Sequence, residues 1–307
     1  MGGFEKVRRY ILAVLLIFVA GSAFATTPDS LSPIQKLREV YKVTYPFFEM
    51  ADTLYLPQTE LQLIEGYHWP DSSRLTPIQN WMNHFPIWHQ YKNVGIWNGE
   101  IAKKFDQITR CIHLPWNGPA YKDIAFPWRI AMEYLRYRQA ESLFTFIPNA
   151  GATVSYSEFL NHKVAYGPRY DLKLLPDSTR AASVEEFYKC FGVAITNMNY
   201  KTLIANCDSV AVGSIGPGDL FVATDSTGCK GVAYVVMFTI ENKKKERLFA
   251  VATGGEVSSD FHIPLFNKDR NRPWLSPEQI RALTPEGSIQ AGFYRFSFLN
   301  NLSVEKP

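Results

Sequence analysis

No apolar stretch in this 307-residue chain is long enough to span a bilayer. The longest, Tyr10 to Ala20, has eleven residues, where a spanning helix needs about 20. An excess of one charge is missing too: 32 Lys and Arg face 29 Asp and Glu. A near-neutral chain gives no reason to expect a nucleic-acid partner. The nucleophile elbow GxSxG, the zinc motif HExxH, a P-loop and a dinucleotide fingerprint are all absent. Gly213, Gly216 and Gly218 are glycine-rich, but a strand pattern follows them, and a phosphate cradle needs helix amides. Cysteine is scarce, four in all, with no CxxC pair. Cys111-Ile-His113 is too closely spaced and isolated for a zinc site. No cofactor and no metal is expected.

What is present starts with an address. Lys6, Arg8 and Arg9 give a basic start, the apolar run follows, and Ala23-Phe24-Ala25 is a small-x-small cleavage signature. Residues 1–25 read as a secretory signal peptide. There is no Cys at the cleavage point to carry a lipid anchor. Its removal leaves 29 basic against 28 acidic residues. The expected location is a periplasm or the outside of the cell, with no membrane span after cleavage. Export permits disulfides, and four cysteines allow three full pairings. Cys190 sits in a helical pattern beside Phe191 and reads as a buried thiol, whereas Cys207 and Cys229 flank the first central strand as a candidate disulfide.

That strand belongs to Gly216–Ala252. Leu220–Ala223, Val232–Phe238 and Leu248–Ala252 are apolar runs, and Glu241–Arg247 between the last two has no apolar residue. Seven apolar residues in a row, rich in β-branched and aromatic types, predict a strand covered on both faces. Pro217-Gly218 sets a turn before it, and the charged stretch reads as a hairpin tip. An antiparallel central sheet follows.

Elsewhere the spacing of Ile78, Trp81, Met82 and Phe85 predicts a helix over Pro77–His84. Val94–Trp97 is a short strand followed by the hairpin turn signal Asn98-Gly99, and Ile108–Ile112 is the next strand expected. Asp123–Arg138 is the clearest helix, with Ile124, Trp128, Ala131 and Leu135 on one stripe and Arg129, Glu133 and Arg136 off it. Asp123 is placed to cap it. Further helices are expected at Ser32–Tyr41, Ser155–His162 and Ser183–Leu203, and strands at Leu143–Ile147, Phe261–Leu265 and Phe293–Phe298. The division expected is a 26–60 extension, a single α+β domain over 61–300 and a 301–307 tail.

Several short motifs follow one another along the chain. They are Asn98-Gly99-Glu100, Met132-Glu-Tyr-Leu135, Phe144-Thr-Phe146, Gly218-Asp219-Leu-Phe-Val222, Gly231-x-Ala233, Asp260-x-His262 and Pro273-Trp274. In this order they resemble the exported bacterial family called domain of unknown function 4846, over roughly Leu61 to Phe298. That family is similar in layout to papain-like amidases and peptidases of the cell-wall NlpC/P60 type. The resemblance implies a papain-like antiparallel sheet with a leading helix packed on it. It also implies a Cys opening that helix and a His on a Gly-His-Ala strand. A thiolate beside a helix N-terminus attacks an amide, and the His protonates the leaving amine.

This chain departs from the layout at those positions. The place of the Cys falls on Asp123 and that of the His on Val232. The Asp ending the strand falls on Phe238, and the Ala-Gln of the next strand on Ala252-Thr253. No Cys lies between Cys111 and Cys190, and no His between His162 and His262, so a one-residue shift restores neither. Asp219, Asp260, His262 and Trp128 are the remaining candidate cleft residues, with Asp123 beside Glu133 and Asp260 beside His262 as candidate acid–base pairs. The seven Trp and 16 Tyr suit either a core or a sugar- or peptide-binding cleft. The expected function is an exported, catalytically inactive binding or scaffold protein whose partner is a cell-envelope peptide, glycan or protein. The alternatives are an amide hydrolase with relocated catalytic residues and a purely structural subunit.

Overall fold

A computed structural model of the chain describes residues 54–114, 122–167, 171–255, 258–266 and 268–302. The signal segment, the helix expected at Ser32–Tyr41 and the break at Pro115–Gly118 lie outside these residues.

The chain opens with β1 (Leu54–Tyr55), α1 (Pro57–Glu60), β2 (Tyr67–His68), α2 (Pro77–Asn83) and β3 (Ile87–Trp88). Next come β4 (Val94–Gly95), β5 (Ile101–Lys103), β6 (Ile108–Cys111) and the long helix α3 (Ala125–Tyr137). The middle holds β7 (Thr145–Phe146), β8 (Val154–Ser155), α4 (Tyr156–Asn161), β9 (His162–Tyr166), β10 (Leu172–Pro176), α5 (Val184–Thr196) and α6 (Tyr200–Ala205). The last third holds β11 (Cys207–Ser209), β12 (Leu220–Thr224), β13 (Gly231–Asn242), β14 (Arg247–Ala252), β15 (His262–Pro264), α7 (Pro277–Arg281) and β16 (Gln290–Phe296).

The architecture is α+β around one six-stranded antiparallel sheet in the order β11-β16-β12-β13-β14, with β2 paired to the far end of β13. The final strand, β16, enters between β11 and β12. The double burial expected for Val232–Phe238 is there. Ala233, Val235 and Met237 join the larger core with α3 and α5, while Val236 joins Phe221, Phe249 and Val251 in a second core closed by Leu275 and Ile280. A bulge between Val236 and Phe238 then turns Phe238 to the first core as well.

Two expectations change. The helix read as amphipathic is buried on nearly every side from Ala125 to Leu135, because it packs on β13 with one flank and on α5 with another. Its off-stripe charges are therefore tied internally. Glu133, fully buried, accepts from Arg129 Nε at 2.7 Å, from Arg136 Nη1 at 3.1 Å and from the Tyr188 hydroxyl. The helix expected over Ser183–Leu203 is two helices, since the Asn199 side chain accepts from Thr202 N at 2.9 Å and starts α6 afresh. The strand at 262–264 pairs with β6 and lies off the central sheet. Ahead of residue 61, Leu54 and Tyr55 pair with Trp88 and Ile87.

Candidate functional site

Asp123 stands just before α3 and is 5% exposed. It caps no helix turn in the usual way. Its Oδ1 accepts from Ile124 N at 2.9 Å, its Oδ2 accepts from Ala233 N at 3.1 Å, and the Tyr200 hydroxyl lies 2.8 and 2.7 Å from the two oxygens. Its own N–H donates to Gly255 O at 3.0 Å. The reason lies in the sheet. β14 ends opposite Val235, at Ala252, so the outer edge of β13 beyond that point has lost its ladder partner. Asp123 supplies an acceptor there, and an unpaired buried N–H is costly. Tyr200 reaches it by lying flat on Gly231, where any side chain would collide with the Tyr200 ring and the Ala223 carbonyl.

Asp123, the Val232–Ala233 backbone and the Thr253–Gly255 segment therefore meet at one end of α3. The side chains do not converge. Successive residues of a strand point to opposite faces. Ala233 faces the first core with α3, and Val232 packs against the second. Val232 thus points away from Asp123. Phe238 is core, 6.5 Å from the Trp69 ring. Thr253 pairs through its backbone with His262, and its Oγ1 accepts from Gly255 N at 3.4 Å.

His262 is fully buried. Its Nδ1 lies 2.8 Å from the Asp260 carbonyl, which only accepts, so Nδ1 carries the proton. Nε2 then accepts from Lys103 Nζ at 3.1 Å. Burial first, then the Lys103 charge, pushes its pKa down to about 4; burial also lowers Lys103. The expected Asp260–His262 acid–base pair is corrected: the carboxylate turns elsewhere, accepting from Gly95 N at 2.8 Å and Lys92 Nζ at 3.2 Å. Asp123 and Glu133 are no pair either, being ten residues apart along one helix, about 15 Å. Trp128 is not a cleft residue. It is fully buried against Phe144, Phe296 and Phe298.

Asp219, 1% exposed, ends the Gly216-Pro-Gly turn, in which Gly218 adopts φ +93°. It accepts from Gly216 N at 2.9 Å and takes a two-pronged grip from Arg295, Nε at 2.6 Å and Nη2 at 2.8 Å. Burial pushes the Asp219 carboxyl up against the pull of Arg295, and the carboxylate in turn holds the guanidinium charged. Beside this pair opens a cleft of about 330 Å³, walled by Ile78, Pro217, Leu299 and Leu302.

The Cys207–Cys229 disulfide does not form, and all four thiols are free. Cys207 lies level with Phe296 at one end of β16, while Cys229 precedes Gly231, which pairs with Thr224 at the other. That is about 25 Å along the strands, far beyond disulfide reach. Burial pushes Cys111 and Cys190 up to about 12 and raises Cys207 as well. Among the described residues no group of three or more His, Cys, Asp or Glu is arranged to hold a metal, and no helix is long and apolar enough to cross a membrane.

Tyr200, Arg295 and Lys103, the partners of the three site groups, were not legible from the sequence. Each lies 76 or more residues from its partner, and none sits in a motif.

The model of the family named domain of unknown function (4846) matches residues 58–297. The chain belongs to this family. No curated protein and no solved structure matches it.

Proposed function

We propose that this family member is an exported cell-envelope binding or scaffold protein, papain-like in layout, in which the thiol-hydrolase machinery has been replaced by structural ties. The observation that carries the reading is Asp123. It occupies the position matched to the nucleophile, and its carboxylate is buried and used by Tyr200, Ile124 and Ala233. A carboxylate whose lone pairs meet three donors has little capacity left for a substrate. Three further features support it. Val232 faces the other core. Three of the four thiols are held protonated by burial. The buried His262 has its Nε2 occupied by Lys103, which also argues against a relocated base at that residue.

The test is to incubate the purified protein with peptidoglycan fragments and with mixed peptides, and to follow new amine ends by mass spectrometry. No turnover is expected. Turnover lost in Cys229→Ser would overturn the reading in favour of a thiol enzyme. Turnover lost in Asp123→Asn would favour the relocated-catalyst alternative. Export is checked on protein recovered from the native host, whose chain should begin at Thr26; a retained leader removes the address.

A further inference from the structure

The cleft beside Asp219 holds donors that the fold leaves unused. Gln79 is 8% exposed and lines it. Its Oε1 accepts from Thr76 N at 3.1 Å, closing the cap of α2. Among the described residues its Nε2 donates to no group of the protein. That amide packs on Gly216, where any side chain would collide with it. Arg295 spends Nε and Nη2 on Asp219, and Nη2 also reaches the Ser214 carbonyl at 3.4 Å. Its Nη1 has no partner among the described residues. Both residues line the same cleft with the apolar side chains of Ile78, Leu299 and Leu302.

Unused donors beside an apolar wall define a ligand by what it must offer. It needs oxygen acceptors for Gln79 and Arg295 and an apolar body for the walls. Because Asp219 cancels the charge of Arg295, the local field does not select an anion, and a carboxylate would also approach the Asp219 oxygens. An amide carbonyl suits both requirements. A volume of about 330 Å³ is at the small end of ligand pockets, with room on the order of two amino-acid residues.

We propose that this cleft is a binding site for an uncharged peptide segment with an apolar side chain, whose backbone carbonyl oxygens accept from Gln79 Nε2 and Arg295 Nη1. The assignment rests on the binding-protein reading above and gives it a location and a ligand class.

The test is calorimetric titration of the purified protein with N-acetyl-leucinamide, with N-acetyl-leucine as the charged counterpart and with N-acetylglucosamine as the sugar. Saturable binding of the amide in the low-millimolar range is expected, with the carboxylate at least about tenfold weaker, a difference of about 1.4 kcal/mol. Gln79→Glu keeps the oxygen that caps α2 and removes the donor, so it should weaken the amide at least about tenfold. Leu302→Trp, which fills the cleft from its rim, should do the same without touching the Asp219–Arg295 pair. No saturable binding of the amide, a preference for the sugar or the carboxylate, or unchanged binding in a folded variant overturns the proposal. Release of leucinamide, read by mass spectrometry in the same samples, counts against the non-hydrolytic reading and not against the cleft.

Discussion

Two aspartates lie almost fully buried along the same pair of strands, and the fold treats them in opposite ways. Among the described residues, Asp123 is held by neutral donors, a phenol from α6 and backbone amides from Ile124 and β13. Asp219 is held by a guanidinium from β16 and one backbone amide. Among the described residues, the donors to Asp123 come from α6, from β13 and from the residue that opens α3, all packed around the carboxylate. The ionic tie leaves something over. A guanidinium has five N–H donors and a carboxylate cannot take them all, so the Asp219 end opens on a cleft with donors to spare.

Removing the ionic tie should have the largest effect. Arg295→Ala leaves a buried carboxylate without its cation, which for buried pairs costs about 3–5 kcal/mol. Arg295 is 31% exposed at its side chain, which puts the loss near the lower end, about 3 kcal/mol in urea denaturation. Adding Asp219→Asn should recover part of it. A loss below about 1 kcal/mol, the range of exposed ion pairs, would place both aspartates in the same class.

Acid should act next, and from the Asp123 side. His262, adjacent to Thr253, is pushed from 6.5 down to about 4 by its burial and by Lys103. The unfolded chain therefore binds a proton that the folded chain refuses between these values. This stability is complete above pH 6.5 and is lost as pH falls towards 4. At pH 5 the loss relative to pH 7 is about 2 kcal/mol. It is read as the difference in pH slope between the native chain and His262→Gln, which removes the titrating ring. Equal slopes would show that His262 is protonated in the folded state. Hydrogen exchange at pH 5 should show the segment around Thr253 and His262 loosening before the Gly216–Asp219 turn.

The smallest effect is expected from Tyr200→Phe, which deletes one donor and keeps the ring on Gly231. Hydrogen bonds to charged groups are worth about 1.5–3 kcal/mol. With the Ile124 and Ala233 amides still in place, the loss should sit near the bottom of that range in thermal or urea unfolding. No loss would mean that the two backbone amides alone hold Asp123.

Much of the frame was readable because its causes are local. Val232–Phe238 is apolar without interruption, and the strand it forms is covered on both faces. Asn98-Gly99 makes its turn with Gly99 at φ +89°, but it joins Val94–Gly95 to Ile101–Lys103, a strand not expected from the sequence, while Ile108–Cys111 pairs with β15. Pro77 and the apolar spacing after it give α2. Cys190 is a buried thiol, as its helical neighbours imply. The site was less readable. Alternation alone separates Val232 from Ala233, but only the position of α3 decides which face looks towards Asp123. The stripe on that helix was correct, while the expectation of a solvated opposite face failed once α5 covered it.

The sequence by itself determined the family, the α+β class and the central antiparallel strands. These depend on residue type, period and order, which a chain carries whatever it packs against. Only the tertiary structure decided that Tyr200 serves Asp123, that Arg295 serves Asp219, that Lys103 faces His262, and that Cys207 and Cys229 end at opposite ends of the sheet. A buried polar group takes whichever partner the packing brings within about 3 Å. The last strand, inserted between β11 and β12, brought Arg295 there from 76 residues away.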